Sequence, residues 1–106
     1  MDRNKILLDA SAQLFVRKIK QKFRPVKIII FGSRAYGEAW VYSDYDFIIV
    51  SDAFEKVHWL ERISNLVRYW DSDKSLDVLP YTVKEFEYKK EFSSVVKEAV
   101  EKGKEL

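Results

Sequence analysis

The sequence predicts one small α/β domain, a mixed β-sheet of three or more strands flanked by helices, and three observations predict it. Short β-branched runs alternate with longer stretches whose apolar residues recur at helical spacing. The chain has 106 residues, enough to bury one core but not two. No internal repeat, low-complexity tract or linker divides it, so residues 1–106 read as a single domain.

Taken in order, Ile6, Leu7, Ala10, Leu14, Phe15 and Ile19 predict a first helix from Asn4 to Phe23, which Pro25 prevents from continuing. Val26 to Phe31 is β-branched and reads as a buried strand ending at Gly32-Ser33. A short helix is expected over Arg34–Ala39, then a second strand over Tyr45–Val50. Trp59, Leu60, Ile63, Leu66, Val67 and Trp70 form a broad apolar face on a helix from Glu55 to Trp70. Leu76 to Leu79 is a third, short strand closed by Pro80. Thr82-x-x-Glu85 has the form of a capping box opening another helix, and a last one runs from Ser94 to Lys102 and stops at Gly103.

Composition narrows the chemistry. Hydrophobic residues make up 47% and charged residues 34%, which fits neither a disordered chain nor a membrane span. The amphipathic start of the chain lacks an apolar signal core, so a cytoplasmic location is expected. There is no cysteine, which excludes disulfides, thiolate metal sites and cysteine nucleophiles. The single histidine, His58, is read as structural, so catalysis would rest on carboxylates. The net charge of +2 divides into +6 over residues 1–27 and −4 over the rest. The basic run Arg17 to Arg24 is either a solvated helix face or a surface for RNA, phosphates or an acidic partner. So small an overall charge argues against direct nucleic-acid binding.

The informative stretch is Phe31-Gly32-Ser33-Arg34-Ala35-Tyr36-Gly37 through Ser43-Asp44-Tyr45-Asp46. A strand that turns through Gly-Ser into a helix offers backbone N–H groups to a phosphate, and the Ser33 hydroxyl can add a hydrogen bond. Asp44 and Asp46 share one face of an extended chain, so both carboxylates can hold one hard cation, Mg²⁺ or Mn²⁺. Asp77 lies within an apolar strand, where a carboxylate needs a cation or a partner such as Arg34. If the third strand pairs beside the second, Asp77 falls next to the Asp44/Asp46 pair, making a two-metal phosphoryl-transfer site. Each piece alone has a simpler reading: an isolated Gly-Ser or Asp-x-Asp is usually a turn. The aromatics Tyr36, Trp40, Tyr42 and Tyr45 fit a core or interface as well as a base-stacking platform.

In combination, Gly32-Ser33, ten residues, Asp44-x-Asp46 and a later lone strand aspartate resemble the DNA polymerase β-type nucleotidyltransferase superfamily. Gly32-Ser33-Arg34-Ala35-x-Gly37-Glu38-Ala39 and Ser43-Asp44-Tyr45-Asp46 are similar to the small minimal nucleotidyltransferase (MNT) domains, over nearly the whole chain. Residues 40–42, Trp-Val-Tyr, are bulkier than the loop many relatives carry there. The resemblance implies a palm-like mixed sheet, metal binding by Asp44, Asp46 and Asp77, and nucleotide binding by Gly32, Ser33 and Arg34. It implies two Mg²⁺ ions, with Mn²⁺ as an alternative, and transfer of AMP from ATP to a hydroxyl. Such domains resemble the antitoxin of gene pairs whose other member is a HEPN-domain ribonuclease toxin, and there the acceptor is a toxin tyrosine. A chain of this length leaves no room for a domain that holds the acceptor, so a partner, or a homo-oligomer, is expected. The alternative is an antitoxin that binds and occludes the toxin without catalysis.

Overall fold

The computed structural model describes residues 8–36 and 44–106. Their order is α1 (Ala10–Phe23), β1 (Lys27–Phe31), α2 (Ser33–Tyr36), β2 (Tyr45–Val50), α3 (Trp59–Val67), β3 (Leu76–Tyr81), α4 (Val83–Phe92), α5 (Ser94–Lys102) and β4 (Lys104–Glu105). The four strands form one mixed sheet in the order β3-β2-β1-β4. β1 runs antiparallel to both β2 and β4, whereas β2 and β3 are parallel, which requires the long crossover through α3.

Side-chain alternation divides the sheet into two buried faces. Ile28, Ile30, Tyr45, Phe47, Ile49 and Val78 face Ala12, Phe15 and Ile19 of α1 and Leu66 of α3. Ile29, Ile48, Val50 and Tyr81 face Phe86 of α4 and Val96 and Ala99 of α5. Burial on both faces explains why β1 and β2 read as continuous apolar runs rather than alternating ones. The mixed sheet of three or more strands flanked by helices is therefore the architecture observed.

Several element boundaries differ from expectation: β1 and α2 begin one residue away, at Lys27 and Ser33, α3 ends at Val67 rather than Trp70, and the larger differences have identifiable causes. The first helix does not run unbroken from Asn4: Leu8 and Asp9 are non-helical, and the Asp9 side chain accepts the Ala12 N–H at 2.9 Å as the cap of α1. The helix expected from Glu55 starts at Trp59, because a 3₁₀ turn over Asp52–Phe54 and a left-handed Lys56 (φ 62°) come first. His58 caps that helix, its Nδ1 accepting the Leu60 N–H at 3.2 Å, which is the structural role expected of it. β3 continues through Pro80 to Tyr81. Tyr45 donates its N–H to Ser75 O and Ser51 donates its N–H to Tyr81 O, both at 2.9 Å, so the odd-numbered residues turn their backbone groups toward β2. Pro80 thus faces the outer edge, where no N–H is needed, and its carbonyl accepts Arg62 Nη1 at 3.2 Å. Finally, β4 was not expected. Gly103 makes it possible, since a Cβ there would strike Ala99 O and lie 2.7 Å from Ile30 O.

The capping box forms as read: Glu85 donates its N–H to Thr82 Oγ1 at 3.2 Å, and Thr82 donates its N–H to Glu85 Oε1 at 2.8 Å. The buried Arg62 guanidinium pairs with the same Glu85 carboxylate at 2.6 Å and donates through Nε to Val57 O at 2.8 Å. α3, β3 and α4 are joined at this one side chain.

Candidate active site

β1 delivers the chain to Gly32 at the end of the sheet beside the start of β2, since Phe31 is the register partner of Asp46. Gly32 adopts φ +74°, a conformation open to glycine at little expense, and its carbonyl accepts the N–H groups of Ala35 at 3.0 Å and Tyr36 at 3.1 Å. A Cβ on Gly32 would fall onto Oδ2 of Asp46 and stand 3.2 Å from its Cγ. Glycine is therefore needed twice at this position, for the turn and for the close approach to a carboxylate.

β2 and β3 pair in a register that sets Asp46 opposite Asp77. The two lie on the sheet face that also carries Ile48, Val50, Leu79 and Tyr81, with Asp44 just before the strand. Burial, then the charge of Asp77 and a hydrogen bond to it, then the charge of Asp44, push the Asp46 carboxyl up to about 6. The sequence places the burial penalty on Asp77; the structure places it on Asp46, half-buried between the Gly32 turn and β3, while Asp77 and Asp44 are exposed. Nor does Asp77 take Arg34 as a partner: among the described residues no Lys or Arg pairs with any of the three aspartates.

Among the described residues no three His, Cys, Asp or Glu side chains are already gathered as a metal-holding group. The donor set nonetheless suits a hard divalent ion. Asp46 and Asp77 sit together and repel, no lysine or arginine among the described residues is paired with either, and Asp44 adds to the repulsion. An ion between them would supply the missing charge.

Arg34, expected beside the nucleotide, is only 5% exposed and sets its guanidinium 4.0 Å from the centroid of the Tyr45 ring. Tyr45 is core rather than platform, fully buried on the α1 side of the sheet, and Tyr36 packs partly buried against the same cluster. Gly37, Trp40 and Tyr42 lie outside the described residues. The sequence did not reveal the network around Tyr45. Asp9 donates its N–H to the Tyr45 hydroxyl at 3.0 Å, and the Asp9 carboxylate pairs with Lys74 at 2.9 Å. Burial raises the Asp9 carboxyl, but the Lys74 bond and the Ala12 N–H outweigh it and hold it below the usual range. A separate cavity of about 520 Å³, lined by Arg62, Thr82, Glu85 and Tyr88 among others, lies past the far end of β3, away from the aspartates.

No helix among the described residues is long and apolar enough to cross a membrane. Among solved structures, BolA1 from Arabidopsis thaliana is 20% identical with a TM-score of 0.59, over 74% of this chain and 98% of its own. A provisionally assigned nucleotidyltransferase from Sulfolobus solfataricus is 23% identical with a TM-score of 0.59, over 74% of this chain and 69% of its own. The BolA domain of SufE1 from Arabidopsis thaliana is 19% identical with the same TM-score of 0.59, over 74% and 99%. At such identities the likeness shows the fold alone, and this frame carries proteins of different names. No match was found among the curated proteins. Sequence decides where the fold does not: the family model described as "Nucleotidyltransferase domain" matches residues 13–106, and with the glycine turn and paired aspartates inside that span, the chain belongs to the nucleotidyltransferase domain family.

Proposed function

We propose that this protein is a Mg²⁺-dependent nucleotidyltransferase that moves AMP from ATP to a hydroxyl, the acceptor being a tyrosine of a HEPN-domain toxin that it silences. The family match supports nucleotidyl transfer in general. The observation that supports a carboxylate-based transfer site is the Asp46–Asp77 pairing with the Gly32 turn packed onto Asp46, while the nucleotide and the toxin acceptor rest on the resemblance of the motif to the MNT domains.

In the reaction, the acceptor oxygen attacks the α-phosphorus, pyrophosphate leaves from the opposite side, and the hydroxyl proton passes to a base. Bound Mg²⁺ would neutralise the phosphates and the leaving group and make the acceptor oxygen more acidic. Gly32 and Ser33 hold the triphosphate through the turn's N–H groups and the Ser33 hydroxyl. Asp44 and Asp46 supply oxygen ligands; Asp46, pushed up to about 6, is still mostly ionised at neutral pH and loses its ligand charge as pH falls through that value. Asp77, opposite Asp46 and exposed, orients the acceptor hydroxyl and takes part in its deprotonation. Asp77→Asn keeps its shape but loses its charge. It should fold and bind ATP yet transfer at least about a hundredfold more slowly, as expected on losing a general base. Retention of wild-type kcat by Asp77→Asn would refute its role.

A second reading, inhibition by occlusion, finds support in Tyr88 and Phe92. Their rings pack tilted against each other, centroids 4.7 Å apart, on the outside of α4, and the residues are 60% and 72% exposed. Growth rescue against the product of the adjacent gene separates the two. Catalysis predicts that Asp44→Ala no longer rescues; occlusion predicts that it does, and that Tyr88→Ser/Phe92→Ser does not.

A further inference from the structure

The three-residue step from Gly32 to Arg34 grips the start of β2 from both faces of the sheet. On one face the Gly32 backbone packs against the Asp46 carboxylate. On the other, Arg34 lies over the ring of Tyr45, the residue between Asp44 and Asp46. Tyr45 cannot yield easily. It is fully buried, stacks on Phe47 at 6.0 Å and 9°, and meets the edge of Trp70 at 5.2 Å. Its N–H is spent on Ser75 O, two residues before Asp77, and its hydroxyl is tied to Asp9 at the head of α1. A cation held against a desolvated ring is a stronger contact than the same pair in water.

We infer that Arg34 and Tyr45 are positioning residues, whose cation–ring stack locks the Gly32–Ser33 turn to the strand bearing Asp46 so that turn and carboxylates keep one spacing. Resting on the proposed function, this assigns Arg34 to the geometry of the site rather than to the nucleotide's phosphates. The stack acts on Asp46 through its neighbour in the strand, and on Asp77 through the Tyr45–Ser75 hydrogen bond.

A double-mutant cycle tests it, with Arg34→Met, Tyr45→Leu and both, read as Mn²⁺ affinity of the nucleotide-free protein by electron paramagnetic resonance and as kcat and KM for ATP. Each single change should weaken Mn²⁺ binding by about tenfold, the size of a buried cation–π contact, and the double change should be no worse than either alone. Arg34→Lys, which keeps a cation over the ring, should recover most of the affinity. Should Tyr45→Leu fail to fold, the contrast between Arg34→Lys and Arg34→Met decides the question alone. Strictly additive losses, or an Arg34→Met protein with raised KM for ATP and unchanged Mn²⁺ affinity, would overturn the inference and make Arg34 a phosphate ligand. A wild-type protein that binds no Mn²⁺ and transfers no nucleotide would overturn the proposed function, and the positioning role with it.

Discussion

Asp46 concentrates the conflict between stability and chemistry in one side chain. Its carboxyl titrates near 3.8 in an ordinary setting and at about 6 in the folded chain. Below the lower value it is protonated whether folded or not, and the folded state keeps its full advantage. Between the two values the folded chain holds a proton that the unfolded chain releases, so stability falls as pH rises through this window. Asp46→Asn removes the charge, and its thermal unfolding temperature at pH 7 should exceed that of the wild type, with a flatter profile between pH 4 and 6. A variant less stable than the wild type at pH 7 would contradict this account of Asp46. Gly32 is the other sensitive position. In Gly32→Ala the left-handed backbone alone costs about 1–2 kcal/mol. The Asp46 carboxylate can swing away from the new methyl group, so chemical denaturation should show only this modest loss. Metal affinity should suffer more, because the carboxylate has moved. That Asp77 falls beside Asp46 was legible from strand alternation only on the condition that the third strand pairs with the second, which the parallel β2–β3 register supplies. The Tyr45 network was not, because it joins Asp9, Arg34, Tyr45 and Lys74, and nothing local links them.

Elements were legible wherever a physical period or a cap wrote itself into neighbouring residues. The sequence marks β2 as a strand and α5 as a helical stretch with their observed bounds, and Thr82 and Glu85 announce the box that opens α4. Misreadings arose where tertiary contacts set the boundary. The turn that delays α3 contains Lys56 at positive φ, with no glycine or proline to mark it. Pro80 reads as a strand end unless its place on the outer edge is known, and the two residues of β4 carry no pattern at all. Glu85 serves both as the box carboxylate and as the partner of the buried Arg62. Thr82→Ala should therefore cost about 1 kcal/mol in urea unfolding, the usual worth of a cap. Glu85→Ala should cost more, because it also strands a buried guanidinium. Equal losses in the two variants would show that the Arg62 pair adds nothing.

For the whole molecule, the two-faced sheet holds the site by its end. Phe47 is fully buried between Tyr45 and Phe15, one residue beyond Asp46. Phe47→Ala should cost about 3–5 kcal/mol of unfolding free energy through lost burial and the cavity left behind. A loss below about 1 kcal/mol would mean that this core does not carry the fold. The same frame supports proteins of more than one name, so the fold cannot establish the activity; the carboxylates and the glycine turn must. The most direct measurement incubates the protein, Mg²⁺ and the product of the adjacent gene with ATP labelled on either the α- or the γ-phosphate. Nucleotidyl transfer predicts that the α-label appears on the acceptor, that the γ-label leaves as pyrophosphate, and that Asp46→Asn abolishes both. Label reaching the acceptor from the γ-phosphate, or α-label transferred equally well by Asp46→Asn, would contradict the account.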